Sequence, residues 1–133
     1  PGLGKRPLHA CSCSKAVAAF SPSLIDRKRL EGRLRAYTEF TLTRVEDLEA
    51  YLARIRAIGY AECVEEIERG MASVAAPLGG TGPAATISIG ATGSTRIFTP
   101  EFRGTLGPEL AGLARDLSAR LGLSGQDAAK QSA

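Results

Sequence analysis

Apolar positions along the chain recur at helical spacing in two long stretches. Val45, Leu48, Leu52 and Ile55, with Tyr51 beside them, fall on one face of a 3.6-residue period. The segment "TRVE" (Thr43 to Glu46) precedes them as a capping-box pattern, and Gly59 follows as a C-cap. Near the end, Leu110, Leu113, Ala114, Leu117 and Leu121 form a second stripe over 107–122. Pro108 suits its first turn and Gly122 its end. A shorter helix is expected over "SCSKAVAAF". After the break at "SPS" (Ser21 to Ser23) another is expected over "LIDRKRLEGRL". "EFTLT" is short and β-prone.

The pattern changes to period two further on. "MASVAAPL" and "PAATISIG" read as a β-hairpin joined by "GGTG" (Gly79 to Gly82). Ile87 and Ile89 share one face of the second strand, and Thr86, Ser88 and Gly90 share the other. The isoleucine face can pack on helices. The Thr/Ser/Gly face cannot build a tight core and leaves room for a ligand or solvent. Helices and hairpin together predict an α+β fold, an antiparallel sheet flanked by helices. So few strands for so many helices suggests that further strands precede this segment. The last residues, 123–133, have little to bury and read as a flexible tail.

Composition narrows the picture. The 133 residues suffice for one domain with a modest core. Aromatic residues are 5% and tryptophan is absent, so the core is aliphatic. The net charge of +3 lies within "DRKRLEGRLR" (Asp26 to Arg35), with five basic and two acidic residues. No zinc-finger or basic-zipper pattern accompanies that run, so a solvated helix face is expected rather than a nucleic-acid contact. No apolar run reaches the ~18 residues of a membrane span. Three cysteines make a poor disulfide framework, which fits a reducing cytoplasm.

Four segments in register carry a resemblance. "RPLHACSCSKAVAAF", "TLTRVEDLEAYLARIRAIGYAECVEEIERGMASVAAPL", "AATISIG" and the leucine-rich C-terminal helix occur in that order. The order resembles the C-terminal effector-binding domain of the IclR family of bacterial transcription regulators, over about Arg6 to Gly122. The resemblance implies a GAF-like fold in residues 1–122, with a small-molecule pocket against one sheet face. It also implies self-association as a dimer or tetramer. DNA would be bound only through an N-terminal winged helix-turn-helix outside this chain. Such a domain is a sensor, not an enzyme, and no cofactor is expected.

Carried over position by position, the resemblance assigns the pocket to Ser12 and Cys13 at a helix start, to Cys63, Met71 and Ser73, and to Ser88 and Gly90. Free N–H groups and the dipole at a helix N-terminus favour an anion, so the expected effector is a small organic carboxylate. The family's "GK" is "SK" here (Ser14, Lys15), Cys63 stands at a position often acidic, and Gly90 replaces a pocket serine. These departures point to a ligand different from small keto-acids.

His9, Cys11 and Cys13 lack the two spaced pairs of a structural zinc site. His9 reads as a hydrogen-bonded structural residue and Cys11 as a small core hydrophobe. Cys13, at a helix start, is expected to have a lowered pKa. An alternative function is therefore a thiol or metal redox module using Cys13 and Cys63. Glu62, Glu65, Glu66 and Glu68 read as a solvated acidic face.

Overall fold

The computed structural model describes residues 6–79 and 87–123. The expected flexible tail falls outside the described residues apart from Leu123, as does most of the "GGTG" turn. The order of elements is α1 (Ser12–Phe20), a 3-10 turn (Pro22–Leu24), α2 (Arg27–Leu30), α3 (Val45–Ile58), β1 (Ala61–Val64), β2 (Met71–Leu78), β3 (Ile87–Ser94) and α4 (Pro100–Arg120). The strands form one antiparallel sheet in the order β1-β2-β3. Ala61 pairs with Ala75 across β1 and β2, and Leu78 pairs with Ile87 across the hairpin.

Period two sorts β2 onto two cores. Ala72, Val74, Ala76 and Leu78 face α4 and pack with Phe98, Leu110, Ala111 and Ala114. On the opposite face Ala75 joins Ala61, α1 (Ala16, Ala18, Ala19, Phe20) and α3 (Val45, Leu48, Leu52, Ile55). The α+β expectation therefore holds, with helices on both sheet faces. The small residues of α1 let its backbone approach the sheet closely.

The second face of β3 is less empty than its composition predicts. A Cβ on Gly90 would stand 3.0 Å from Cys13 Sγ and 2.9 Å from the Val74 carbonyl oxygen. α1 therefore occupies the space opposite Gly90. On the other face, Ile89 packs on the α4 core, while Ile87 is exposed.

Several boundaries differ from expectation for identifiable reasons. β1 was not expected; it is four residues long and carries Glu62 on one face. "EFTLT" is not a strand. Thr41 Oγ1 accepts from the Tyr37 and Thr38 N–H groups, which folds the segment into a turn. α3 starts after Arg44 without a side-chain cap, because Glu46 pairs with Arg27 rather than reaching back. Gly59 ends α3 at φ 87°, as expected. α4 begins at Pro100, where Thr99 Oγ1 accepts from the Phe102 N–H. Pro108 consequently lies inside the helix. Gly107 beside it is required, since a Cβ there would meet the Tyr60 ring at 2.3 Å. Of the second short helix only one turn, α2, forms, capped by Asp26.

Candidate functional site

The start of α1 is set by the segment before it. The Ala10 and Cys11 N–H groups donate to the Pro7 carbonyl, which turns the chain into the helix. His9 is buried, and its Nε2 donates to the Arg35 carbonyl at 2.9 Å. Its structural reading therefore stands. Cys11 occupies the N-cap position with extended backbone angles.

From there the first turn is pinned to the sheet. Ser12 and Ser73 share a buried Oγ–Oγ hydrogen bond of 2.7 Å. Ser88 Oγ donates to the Cys13 carbonyl at 3.3 Å. Gly90 leaves the room that the Cys13 thiol occupies. A β-strand on one side and a helix start on the other thus hold these groups in fixed positions.

Beside this contact lies an open cavity of about 530 Å³. Ser12, Cys13, Cys63, Met71 and Ser73 line it. Ser88 borders a smaller neighbouring space of about 340 Å³, which shares Arg6 and Cys13 with the first. Gly90 acts from behind Cys13. The larger wall also includes Cys11, Ile67, Glu68 and Thr92, which sequence reasoning did not place there. Thr92 follows from the strand period, two residues beyond Gly90. Cys11 corrects an expectation: it is half-buried on the cavity wall rather than packed in the core. The N-cap position turns its side chain away from the helix's buried stripe.

A buried ion pair ties α1 to the turn after β1. Lys15 is 0% exposed, and its Nζ donates to Glu66 Oε1 at 2.6 Å. The ammonium also lies 4.5 Å from the Tyr51 ring centroid, a cation–π contact. Glu66 is 9% exposed, not solvated, and its Oε2 is buried without a hydrogen-bond partner. Burial pushes the Glu66 carboxyl up, against the pull of Lys15. One legible signal was a lysine directly before the apolar stretch "AVAAF", on a helix that packs on the sheet, where it needs a buried acid.

The thiols differ from expectation as well. The Cys13 thiol, acting as donor, and then the Ser14 and Cys13 N–H groups hold Cys11 down to about 5, against burial. Cys13 is pushed up, first by that same bond and then by burial. The lowered thiol is thus Cys11, chiefly because it accepts from Cys13. Burial, reinforced by Glu66, pushes Cys63 up. Among the described residues no group of three His, Cys, Asp or Glu side chains is arranged to hold a metal ion.

A helix start pinned over a small-residue sheet face, with a cavity beside it, is the frame of this α+β domain. The family model described as "Bacterial transcriptional regulator IclR C-terminal" matches residues 3–119. The glycerol operon regulatory protein of Streptomyces coelicolor is 34% identical over 111 residues, covering 84% of this chain and 42% of that protein. The HTH-type transcriptional regulator BhcR of Paracoccus denitrificans is 35% identical over 120 residues, 89% of this chain and 42% of that protein. An IclR transcriptional regulator from Silicibacter sp. TM1040 superposes with a TM-score of 0.78 at 28% identity, covering 92% of this chain and 48% of that one. The chain belongs to the IclR family and matches its C-terminal domain. It spans less than half the length of the curated relatives it matches. No described helix is long and apolar enough to cross a membrane.

Proposed function

We propose that this domain senses a small organic carboxylate and passes its occupancy to a DNA-binding domain elsewhere in the full-length protein. The observation that carries the reading is the 530 Å³ cavity at the N-terminus of α1, a volume suited to a metabolite. The first-turn N–H groups and Arg6 supply attraction for an anion, and Ser12, Ser73 and Thr92 supply neutral hydrogen bonds. Met71, Ile67 and Ala72 supply apolar contact. Cys13 and Cys63 take the family's pocket positions. Ser88 and Gly90 belong to the site by positioning Cys13.

In this reading residues 1–122 form the sensing domain, and the protein works in the cytoplasm as a dimer or tetramer. Ligand binding favours one subunit arrangement over another, and so changes the spacing of two winged helix-turn-helix domains. Membership in a family of regulators supports it. The test is calorimetry on this chain with a panel of C2 to C8 mono- and dicarboxylates. At least one should bind, and Ser73→Leu, which fills the cavity and removes the partner of Ser12, should abolish that binding with the fold retained by circular dichroism. Binding that survives Ser73→Leu unchanged places the site elsewhere.

A further inference from the structure

β3 is an edge strand, and the direction of its free backbone groups is fixed by the bonds around it. The Thr95 N–H donates to the Gly70 carbonyl, and the Glu65 N–H to the Met71 carbonyl. Both bonds continue the sheet registers, in which Ala75 pairs with Gly90 on one side and with Ala61 on the other. Backbone groups alternate in direction along an antiparallel strand. Ile87, Ile89, Ala91 and Gly93 therefore bond to β2, whereas Ser88, Gly90 and Thr92 turn their N–H and C=O groups outward. Pro77, which has no N–H, stands opposite Ser88, where β2 needs no donor towards β3. The Ser94 carbonyl accepts from the Ile97 and Phe98 N–H groups, which closes the strand. Among the described residues the outward backbone groups of Ser88, Gly90 and Thr92 have no partner. We infer that this edge joins the same edge of a second copy of the chain, antiparallel about a two-fold axis at Gly90, so that the two sheets become one.

The edge is complementary to itself. With Gly90 opposite the partner's Gly90, Ser88 lies opposite the partner's Thr92, and every outward N–H faces a carbonyl. On the other face Ile89 lies opposite the partner's Ala91, and Ile87 opposite the partner's Gly93, a large side chain against a small one each time. Gly93 is where Phe98 covers the strand, since a Cβ there would stand 2.4 Å from the ring. Ile87, 55% exposed in the single chain, thereby gains the partner's Phe98 as a neighbour. Ile87–Ser94 carries neither a charged residue nor a proline, the devices that keep sheet edges apart, so nothing repels an identical strand.

The helices leave room for this pairing. α1 and α4 pack chiefly on β2, one strand in from the edge. β2 and its counterpart in the partner stand three strand spacings apart, ~14 Å, beyond the roughly 8–10 Å at which helices touch. Apolar side chains fill the gap on the α4 side. Gly107 and Ala111 turn to Tyr60 and Gly59, beside β1. Helical spacing therefore puts Leu106, Leu113 and Leu117 on the opposite flank, towards β3. Leu113 is 45% exposed, and Leu106 and Leu117 are half-buried. An isolated peptide strand would satisfy the edge but leave this flank bare; a second copy brings its own α4 to cover it. The junction also runs along the effector site, because Thr92 lines the larger cavity and Ser88 borders the smaller one. It makes the self-association of the proposed sensor specific and needs no effector to form.

The experiment is sedimentation equilibrium of the chain across a wide concentration range, paired with amide hydrogen exchange read by NMR. A mass of at least twice 13.9 kDa is expected at the upper end. As the pair forms, the Gly90 and Thr92 N–H groups should exchange roughly tenfold or more slowly. The Ile89 and Ala91 N–H groups, bonded to β2, should be protected at every concentration. Ile87→Lys places a charge at an exposed position of the junction. It should weaken association roughly tenfold or more, with the fold retained by circular dichroism, and should release the Gly90 and Thr92 amides. The exchange result in the parent stands even if that variant misfolds. A chain that stays monomeric would overturn the inference and leave the edge to a strand of the longer protein. So would a dimer whose Gly90 and Thr92 amides exchange as fast as at the lowest concentration, or one that Ile87→Lys leaves intact. Carboxylate binding is measured separately, so failure of one claim does not mimic failure of the other.

Discussion

Lys15 and Glu66 show what single residues contribute. An ammonium with no exposure is tolerable only because a carboxylate meets it at 2.6 Å. Lys15→Met leaves Glu66 without its cation and should cost about 3–5 kcal/mol in urea denaturation, while Lys15→Met/Glu66→Leu should recover most of that loss. The pH dependence has a definite sign. Burial raises the Glu66 carboxyl above its value of 4.5, so between 4.5 and its folded value the native state holds a proton that the unfolded chain has lost. Stability from this group falls as pH rises through that window. The Lys15→Met/Glu66→Leu variant should lack that slope in urea midpoints measured between pH 4 and 7. Tyr51 makes a second residue-scale case. Its hydroxyl donates to the Glu62 carbonyl and accepts from the Glu62 N–H, and burial lifts it to about 12. Tyr51→Phe should cost about 1–3 kcal/mol, because the Glu62 N–H loses its acceptor. The pair Lys15–Glu66 was hidden in the sequence because a run of acids reads as solvated until the fold buries one of them.

At the scale of elements, the contact of α1 with the sheet depends on absent side chains. Gly90→Val would press on Val74, Ala75 and Cys13 at about 3 Å. It should destabilise the domain by about 1–3 kcal/mol and, by pushing α1 away, weaken effector binding, both measurable by denaturation and calorimetry. Helix α3 was legible in its entire buried face and its glycine stop, because an amphipathic period needs no partner to be recognised. β2 and β3 were legible as a hairpin, though β3 runs on to Ser94 beyond the expected end at Gly90. Strand β1 and the first two turns of α4 were not. A four-residue strand has too few alternations to stand out, and Gly104, Gly107 and Pro108 disguise a helix that Thr99 and Pro100 nonetheless start. For the site, strand alternation marked Ser88 and Gly90, and the resemblance marked Ser12, Cys13, Cys63, Met71 and Ser73. Neither could show that Cys11 turns onto the cavity wall, since a cap residue's direction depends on the chain entering the helix.

The whole molecule is a sheet clad by helices on both faces, with its cavity where α1 begins and its two cores kept apart by the strands. Its basic run is partly neutralised in the fold, because Arg27 bridges Glu46 and Glu49 on α3. That leaves little reason for this domain to hold DNA by itself, and the chain should not shift a duplex in a gel at physiological salt. If the subunit arrangement carries the signal, sedimentation should give the mass of two or four chains, and bound effector should change the frictional ratio. The central claim is that the cavity beside α1 holds a small carboxylate. Native mass spectrometry of this chain against the carboxylate panel tests it most directly. The account predicts a saturable, non-covalent adduct of one ligand per chain that disappears in Ser73→Leu. No adduct from any member of the panel, or an adduct that Ser73→Leu leaves undiminished, would contradict it.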